Sequence, residues 1–185
     1  VTGKSSVSEN RANGKHGGGI FMDHGTVEVN GGTTISKNYA NKDGGGIYNF
    51  QGYLTINVST ISENSSSSGG GISSFGGETI ISGSTITEND AASLGGAIDL
   101  GSSIFQITGS TISENNADGK GGGIYRSYFS PAVPDVIGGS SSTDTANFNQ
   151  FVNNQKVGVV SSTQHIVHYN SDVHGNFPYN YYTPD

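Results

Sequence analysis

The chain has 185 residues and a formal net charge of −7, and only 31% of its residues are hydrophobic whereas 30 are glycine. Its eight lysines and arginines cannot form a basic surface that neutralises phosphates, so we expect no nucleic-acid partner. No apolar run approaches the roughly 20 residues that a helix needs to cross a bilayer, so we expect no membrane insertion.

One short segment recurs along the chain. Its copies read "TTISKNYANKDGGGIY" at 33–48, "STISENSSSSGGGIS" at 59–73, "STITENDAASLGGAID" at 84–99 and "STISENNADGKGGGIY" at 110–125. Each copy contains an aliphatic residue between two hydroxyl residues, then an asparagine, then a glycine-rich run with an isoleucine. Repeats of this length indicate a solenoid, because a single copy is too small to bury its own aliphatic side chains.

Each repeat predicts three short β-strands. The first strand carries the aliphatic column Val7, Ile35, Ile61, Ile86 and Ile112. The second strand follows the glycines and carries Ile20, Ile47, Ile72, Ile98 and Ile124. The third lies in short alternating runs and carries Val29, Ile56, Ile81 and Ile107. We therefore predict an all-β fold, a right-handed single-stranded parallel β-helix with three strands per rung.

The asparagine and the glycines of each repeat have structural interpretations. The asparagine column is Asn10, Asn38, Asn64, Asn89 and Asn115. We expect each asparagine to take a left-handed turn conformation and to hydrogen-bond through its amide to the asparagine of the next rung, as an internal ladder. The glycines supply positive φ angles where the chain turns into the second strand.

The repeat loses its register after Ile124. We expect repeat coils over about 5–125, an inserted side loop near 126–147, and a last rung with a C-terminal aromatic cap over 148–185. The chain, 1–185, is then a single β-helix domain of about six rungs. We expect this domain to be part of a longer surface protein.

Two motifs carry a resemblance to a known family. Residues 95–98 read Gly-Gly-Ala-Ile, and residues 151–154 read Phe-Val-Asn-Asn, a Phe-x-x-Asn element in which the other copies have isoleucine or valine for the phenylalanine. Over residues 5–160 the chain thus resembles the polymorphic outer-membrane-protein repeat and the wider group of adhesin-like surface β-helices. The resemblance implies an extracellular, cell-surface location and adhesion, and it supplies no catalytic motif.

A candidate binding surface follows the second strand. The residues directly after the inward isoleucines face outward and include aromatic rings and a carboxylate, groups that stack on sugar rings and hydrogen-bond to them. We predict a glycan site formed by Tyr48, Asp99, Tyr125, Arg126 and Tyr128. The alternative is that the inserted loop packs on this side and covers the rings.

Other columns permit other ligands. Glu63, Glu88 and Glu114 recur one rung apart, which favours either a bound cation such as calcium or a solvated charged edge. We expect no other cofactor. The serines and threonines that flank the first aliphatic column either face water or match an ordered polysaccharide or ice. Asn57 lies in a glycosylation sequon at a strand end and is a better acceptor than Asn64, which belongs to the ladder.

These features favour a non-catalytic, adhesin-like surface module whose partner is a glycan or a cell-surface protein. A polysaccharide lyase or hydrolase is the main alternative because such enzymes also use β-helices, yet no second carboxylate joins Asp99 and Arg126 in their column. A third interpretation is a structural subunit that associates end to end into a filament or sheath.

Overall fold

Short strands pair in parallel with their counterparts one repeat away. The computed structural model describes residues 1–127 and, beyond them, the backbone of strands at 135–138, 149–152, 157–161, 166–169, 171–174 and 179–182. Among these residues there are strands and turns but no helix, and residues 1–127 form about five turns of a solenoid. The predicted all-β parallel solenoid is confirmed.

The strands form four sheets, which we name A to D in the order in which the chain meets them. Sheet A contains Ser6–Ser8, Thr34–Ser36, Thr60–Ser62, Thr85–Thr87, Thr111–Ser113, Asn149–Val152 and Ser171–His174. Sheet B contains Arg11–Ala12, Tyr39–Ala40, Ser65–Ser68, Asp90–Leu94 and Asn116–Ala117. Sheet C contains Ile20–Asp23, Ile47–Phe50, Ile72–Phe75, Ile98–Leu100, Ile124–Arg126, Val157–Ser161 and Tyr179–Tyr182. Sheet D contains Thr26–Asn30, Tyr53–Asn57, Glu78–Ser82, Ile104–Thr108, Asp135–Gly138 and Ile166–Tyr169.

The prediction of three strands per rung is wrong because sheet B adds a fourth. Three of its five strands have two residues each, for example Arg11–Ala12 and Asn116–Ala117. Two residues are too few to display the period-two alternation from which strands were predicted. The pairing between rungs, such as Arg11 with Tyr39, defines these strands instead.

The three aliphatic columns are confirmed by the strand register. Ile35 pairs with Ile61 in sheet A, Ile47 with Ile72 in sheet C, and Ile56 with Ile81 in sheet D. In the inner rungs the isoleucines of these three columns are fully buried and form one continuous core. Because each buried isoleucine contributes roughly 1.5–3 kcal/mol, this narrow core is the main source of stability.

The asparagine ladder is also confirmed. In each step the backbone N–H and the side-chain Nδ2 of one asparagine donate to Oδ1 of the asparagine in the next rung. For Asn38 and Asn64 these two distances are 3.0 and 2.9 Å. Nδ2 of Asn64 also donates to the carbonyl oxygen of Ile35 in the preceding rung, at 3.0 Å. The ladder therefore satisfies backbone groups that would otherwise be buried unpaired at the corner between sheets A and B.

The left-handed conformation, however, belongs to the residue before each asparagine. Positive φ angles of 54–59° occur at Glu9, Lys37, Glu63, Glu88 and Glu114. The predicted conformation of the asparagines is thus wrong. The corner places the sharp turn at the exposed glutamate or lysine, and this leaves the asparagine free to direct its amide inward.

The glycine runs make the next corner, between sheets B and C. The first glycine of each run has a positive φ, as predicted, for example 68° at Gly44. The second glycine meets a different constraint, because a Cβ on Gly45 would lie 2.6 Å from the carbonyl oxygen of Ser65 and would collide with that of Gly70. Absence of a side chain, not a special φ, is what this second position requires.

Strands beyond residue 127 continue three of the four sheets. Phe151 pairs with Ile112, as the repeat alignment predicted. Asp135–Gly138 pairs in sheet D although it lies in the range predicted as an inserted loop, and Tyr179–Tyr182 pairs in sheet C although it lies in the predicted cap. The other residues of the predicted loop and cap, including Tyr128, lie outside the described residues.

Candidate functional site

The outer face of sheet C carries two parallel columns of side chains. Along Ile47–Phe50 the isoleucine and asparagine are buried, whereas Tyr48 and Phe50 are partly exposed. The strand register places Phe21, Tyr48, Ser73, Asp99 and Tyr125 in the first column. It places Asp23, Phe50 and Phe75 in the second. Both columns face outward because the side-chain period of a strand is two.

Aromatic rings stack along both columns. The rings of Phe21 and Tyr48 lie 5.6 Å apart between centroids and are inclined by 14°. In the second column Phe50 and Phe75 lie 6.1 Å apart and are inclined by 6°. Phe21 is 56% exposed and Phe75 is 45% exposed. The result is two pairs of stacked rings, in which Phe21 and Phe75 remain open to solvent.

The corner between sheets B and C forms a ridge beside the first column. Its glycine turn brings His16 onto Tyr48, with ring centroids 4.4 Å apart. Nδ1 of His16 lies 3.0 Å from Oδ2 of Asp43. The ridge therefore adds an imidazole and a carboxylate to the edge of the aromatic surface.

Asp99 is the most perturbed ionisable group described in the chain. Burial, followed by the negative charge of Asp43, raises the pKa of its carboxyl to about 7. Its buried Oδ1 has no hydrogen-bond partner in the described part of the chain. Burial and the nearby carboxylates Asp43 and Asp99 also raise the pKa of the Tyr48 hydroxyl. Near neutral pH the carboxyl group of Asp99 is therefore present in both its protonated and its ionised form.

The structure brings together three of the five predicted glycan residues. Tyr48, Asp99 and Tyr125 share the first column. Tyr128 lies outside the described residues. The prediction for Arg126 is wrong, because its side chain is 1% exposed and points inward, where its guanidinium donates to the carbonyl oxygens of Gly101 and Ser103 at 2.7 and 2.6 Å. Strand alternation after the buried Ile124 accounts for this inward position.

Several residues of this surface were missed by the sequence analysis. Phe50 and Phe75 follow Tyr48 and Ser73 by two positions, so the same period-two rule could have placed them on this face. His16 and Asp43 precede the glycine runs, and no sequence period relates them to sheet C. Their approach depends on the tightness of the corner.

The three glutamates of the predicted cation site lie on the exposed edge of the corner between sheets A and B. Within residues 1–127 and the other described strands, no three acidic or histidine side chains lie close enough to hold a metal ion. Glu63, Glu88 and Glu114 are exposed, and Oε2 of Glu63 lies 3.8 Å from Nζ of Lys37. Exposed glutamates with a lysine nearby agree with the second interpretation of this column, a solvated charged edge.

The other candidate positions lie away from sheet C. Asn57 is exposed at the end of its sheet D strand, and its Oδ1 accepts a hydrogen bond from Ser82, whereas Asn64 is fully buried. Glycosylation of Asn57 stays a prediction. The hydroxyl columns of sheet A are half-buried, and Thr87 and Ser113 hydrogen-bond to each other at 3.1 Å.

The fold and its repeats define a class of protein, the parallel β-solenoid with a glycine-rich corner and an asparagine ladder. The family model described as the Chlamydia polymorphic membrane protein repeat matches residues 32–49 and 109–125. Each matched segment spans a sheet A strand, the ladder asparagine and the glycine run. The resemblance inferred from the sequence is therefore confirmed, and the chain carries repeats of this type.

The family match gives information about the cellular location of proteins that carry this repeat. Proteins of that family are outer-membrane or surface-associated in Chlamydia, which is consistent with a surface protein of the adhesin-like class. The described residues contain no helix long and apolar enough to cross a membrane. No curated protein and no solved structure gives a significant match to the chain.

Proposed function

We propose that the chain is a non-catalytic, extracellular recognition module that binds glycans through the outer face of sheet C. The observation that carries the proposal is the two stacked aromatic pairs, Phe21 with Tyr48 and Phe50 with Phe75, which lie on one sheet face with Phe21 and Phe75 exposed. The match to a repeat of surface-associated proteins supports the proposal, because the face of a surface protein is accessible to extracellular ligands.

The aromatic face suits a sugar chain for geometric reasons. Successive rungs of a parallel sheet are about 4.8 Å apart, so the aromatic rings stack on one another, and the apolar face of a pyranose ring can pack against the ring surface that Phe21 and Phe75 leave exposed. Asp99 lies in the same column as Tyr48, one rung beyond Ser73, and can hydrogen-bond to ring hydroxyls. The buried Ser73 leaves room between them.

The charges of the face favour uncharged or amino sugars over acidic ones. Asp23, Asp43 and Asp99 all contribute to the electrostatic environment of Tyr48, and the whole chain carries a net charge of −7. An anionic polysaccharide would have to overcome this repulsion.

The test is a glycan array combined with a pull-down on insoluble polysaccharides, using wild type, Tyr48→Ala and Phe21→Ala. Tyr53→Ala is the matched control because Tyr53 is 60% exposed on sheet D. We expect saturable binding that weakens about tenfold or more in the two sheet C variants, as the loss of a stacked ring predicts, and that persists in Tyr53→Ala. Thermal unfolding of each variant checks that the fold is retained.

Other outcomes identify the alternatives. Release of soluble sugars, above all with calcium and not with chelator, would favour the polysaccharide lyase or hydrolase. No binding together with concentration-dependent filaments would favour end-to-end structural assembly. Binding that is equal in all four proteins would contradict the assignment of sheet C as the site.

A further inference from the structure

A groove of about 340 Å³ lies on the outer face of sheet B, away from the aromatic face of sheet C. Its volume is at the lower end of the roughly 300–1,000 Å³ typical of small-molecule sites. The side chains that define it are those of Tyr39, Asn41, Ser65, Ser67, Asp90 and Ala92. It spans three successive rungs and is open to solvent.

The groove exists because the third rung is short at this corner. Between the ladder asparagine and the first glycine there are five residues in the second rung, 39–43, and five in the fourth, 90–94. The third rung has only four, 65–68, and all of them are serine. A shorter path with small side chains recedes between its neighbours, so the third rung becomes a floor and the rungs beside it become walls.

One wall is the ring of Tyr39. The guanidinium carbon of Arg11 lies 4.1 Å from the centroid of this ring, on the side of the first rung. On the other side the registered neighbour of Tyr39 is Ser65, whose small side chain does not cover the ring. The hydroxyl of Tyr39 donates to Oδ1 of Asn41 at 3.1 Å, which fixes the ring in place. A flat aromatic surface therefore faces into the groove.

The opposite wall is the exposed carboxylate of Asp90. Its Oδ1 accepts a hydrogen bond from Nδ2 of Asn116 at 2.6 Å, which orients the carboxylate and leaves Oδ2 available to a ligand. Asp90 is the registered neighbour of Ser65, so it lies two rungs, about 9.6 Å, from Tyr39. That span accommodates one sugar ring stacked on Tyr39, with hydroxyls directed at the carboxylate.

We propose that this groove is a second binding site that takes one neutral pyranose unit, stacked on the free face of Tyr39 and hydrogen-bonded to Asp90 and the serine floor. Asp90 is the one charged residue among those that line the groove, and Arg11 lies on the far side of the Tyr39 ring, so the groove disfavours an anionic ligand. The site goes beyond the proposed function because sheets B and C are different faces. A chain with both sites would bind branched or clustered glycans with avidity.

The test is an amide-resolved NMR titration of the intact chain with the methyl glycosides of glucose, galactose, mannose and N-acetylglucosamine. We expect saturable shifts of the amides of residues 65–67 and 90–92 for at least one of the four. Tyr39→Ala should weaken this binding about tenfold, which corresponds to about 1.4 kcal/mol, and Tyr39→Phe should retain it. Ser67→Leu fills the floor of the groove without removing either wall and should abolish the shifts.

The outcomes separate this site from the one on sheet C. Tyr48→Ala should leave the sheet B shifts unchanged, and Tyr39→Ala should leave any sheet C shifts unchanged. Shifts confined to sheet C would overturn the sheet B site and keep the proposed function, whereas shifts confined to sheet B would do the reverse. Absence of sheet B shifts with all four glycosides, or their persistence in both Tyr39→Ala and Ser67→Leu, would also overturn the sheet B site.

Discussion

Asp99 is the residue whose environment differs most from that of a surface carboxylate. It occupies an outward position in sheet C, yet burial and the charge of Asp43 raise its pKa from 3.8 to about 7. One of its oxygens has no hydrogen-bond partner among the described residues. Such a group carries a cost to stability, and strongly perturbed carboxyl groups are concentrated at functional sites.

This environment predicts a pH dependence of stability. Because the pKa of Asp99 in the folded state is higher than in the unfolded state, its contribution is fully present below about 3.8 and is lost as pH rises through about 7. Asp99→Asn removes the titration but keeps the shape. We therefore expect the free energy of unfolding of the wild type, relative to Asp99→Asn, to fall across this window and to stay constant above it.

Denaturant unfolding at a series of pH values measures this difference. The matched control is Asp118→Asn, at an exposed aspartate. A wild-type-minus-variant difference that does not change between these pH values would show that Asp99 ionises normally.

Arg126 was predicted from the sequence to contact a ligand, and its side chain is buried instead. Its position beside the aromatic column and at the start of an inserted segment suggested a ligand contact. The strand alternation instead directs it into the solenoid, where backbone carbonyl oxygens at the corner accept its hydrogen bonds. A cation can be buried there because the turn leaves carbonyl groups that need donors.

At the scale of elements, the glycine corner determines how close sheets B and C come to each other. A Cβ on Gly45 would meet two backbone carbonyl oxygens, those of Gly70 and Ser65, whereas a Cβ on Gly46 would meet one, that of Gly71 at 2.6 Å, and the side chain of Asn64. In the fourth rung the third position is Ala97, which is fully buried. Neighbouring glycines in one run therefore differ in how well they tolerate substitution by alanine.

This difference can be measured with Gly45→Ala and Gly46→Ala. We expect Gly45→Ala to lower the free energy of unfolding by about 3 kcal/mol, because its Cβ collides with fixed backbone atoms. Gly46→Ala should cost less, about 1 kcal/mol, because its Cβ meets one backbone carbonyl oxygen where that of Gly45 meets two, and because an alanine occupies the equivalent position at Ala97. Equal losses in the two variants, measured by denaturant unfolding, would contradict this account of the corner.

At the scale of the whole molecule, the asparagine ladder links the rungs along the solenoid. Each inner asparagine accepts two hydrogen bonds from one neighbouring rung and donates to both sides, so a defect affects two interfaces at once. In solenoids the stability of the chain depends on such contacts between nearest neighbours.

Asn64→Ala should therefore lower the free energy of unfolding by about 3 kcal/mol, since it leaves buried donors and acceptors unpaired. Asn10→Ala is the matched control in the same column. Asn10 is exposed, and its substitution removes only the hydrogen bond from its Nδ2 to Oδ1 of Asn38 while the backbone N–H bond remains, so we expect a loss below about 1 kcal/mol. A comparable loss in the two variants would mean that the ladder contributes little beyond surface hydrogen bonding.

The sequence by itself determined the solenoid, its aliphatic columns and its ladder. A single repeat cannot bury its own aliphatic side chains, so neighbouring repeats must stack in register. The pairing of Ile35 with Ile61 and of Phe151 with Ile112 therefore follows from the alignment of the repeats. The outward position of Tyr48, Asp99 and Tyr125 followed in the same way from alternation.

Only the tertiary structure decided the conformation of the corners and which residues the corners bring together. Sheet B, the positive φ before each asparagine, the approach of His16 and Asp43 to Tyr48, and the groove above Ser65 all depend on how tightly the chain turns between strands. The periodicity of the sequence does not predict how tightly the chain turns at a corner, because backbone packing between rungs determines the tightness of the turn. The two candidate ligand sites lie beside such turns, which is why the sequence indicated the first only in part and did not reveal the second.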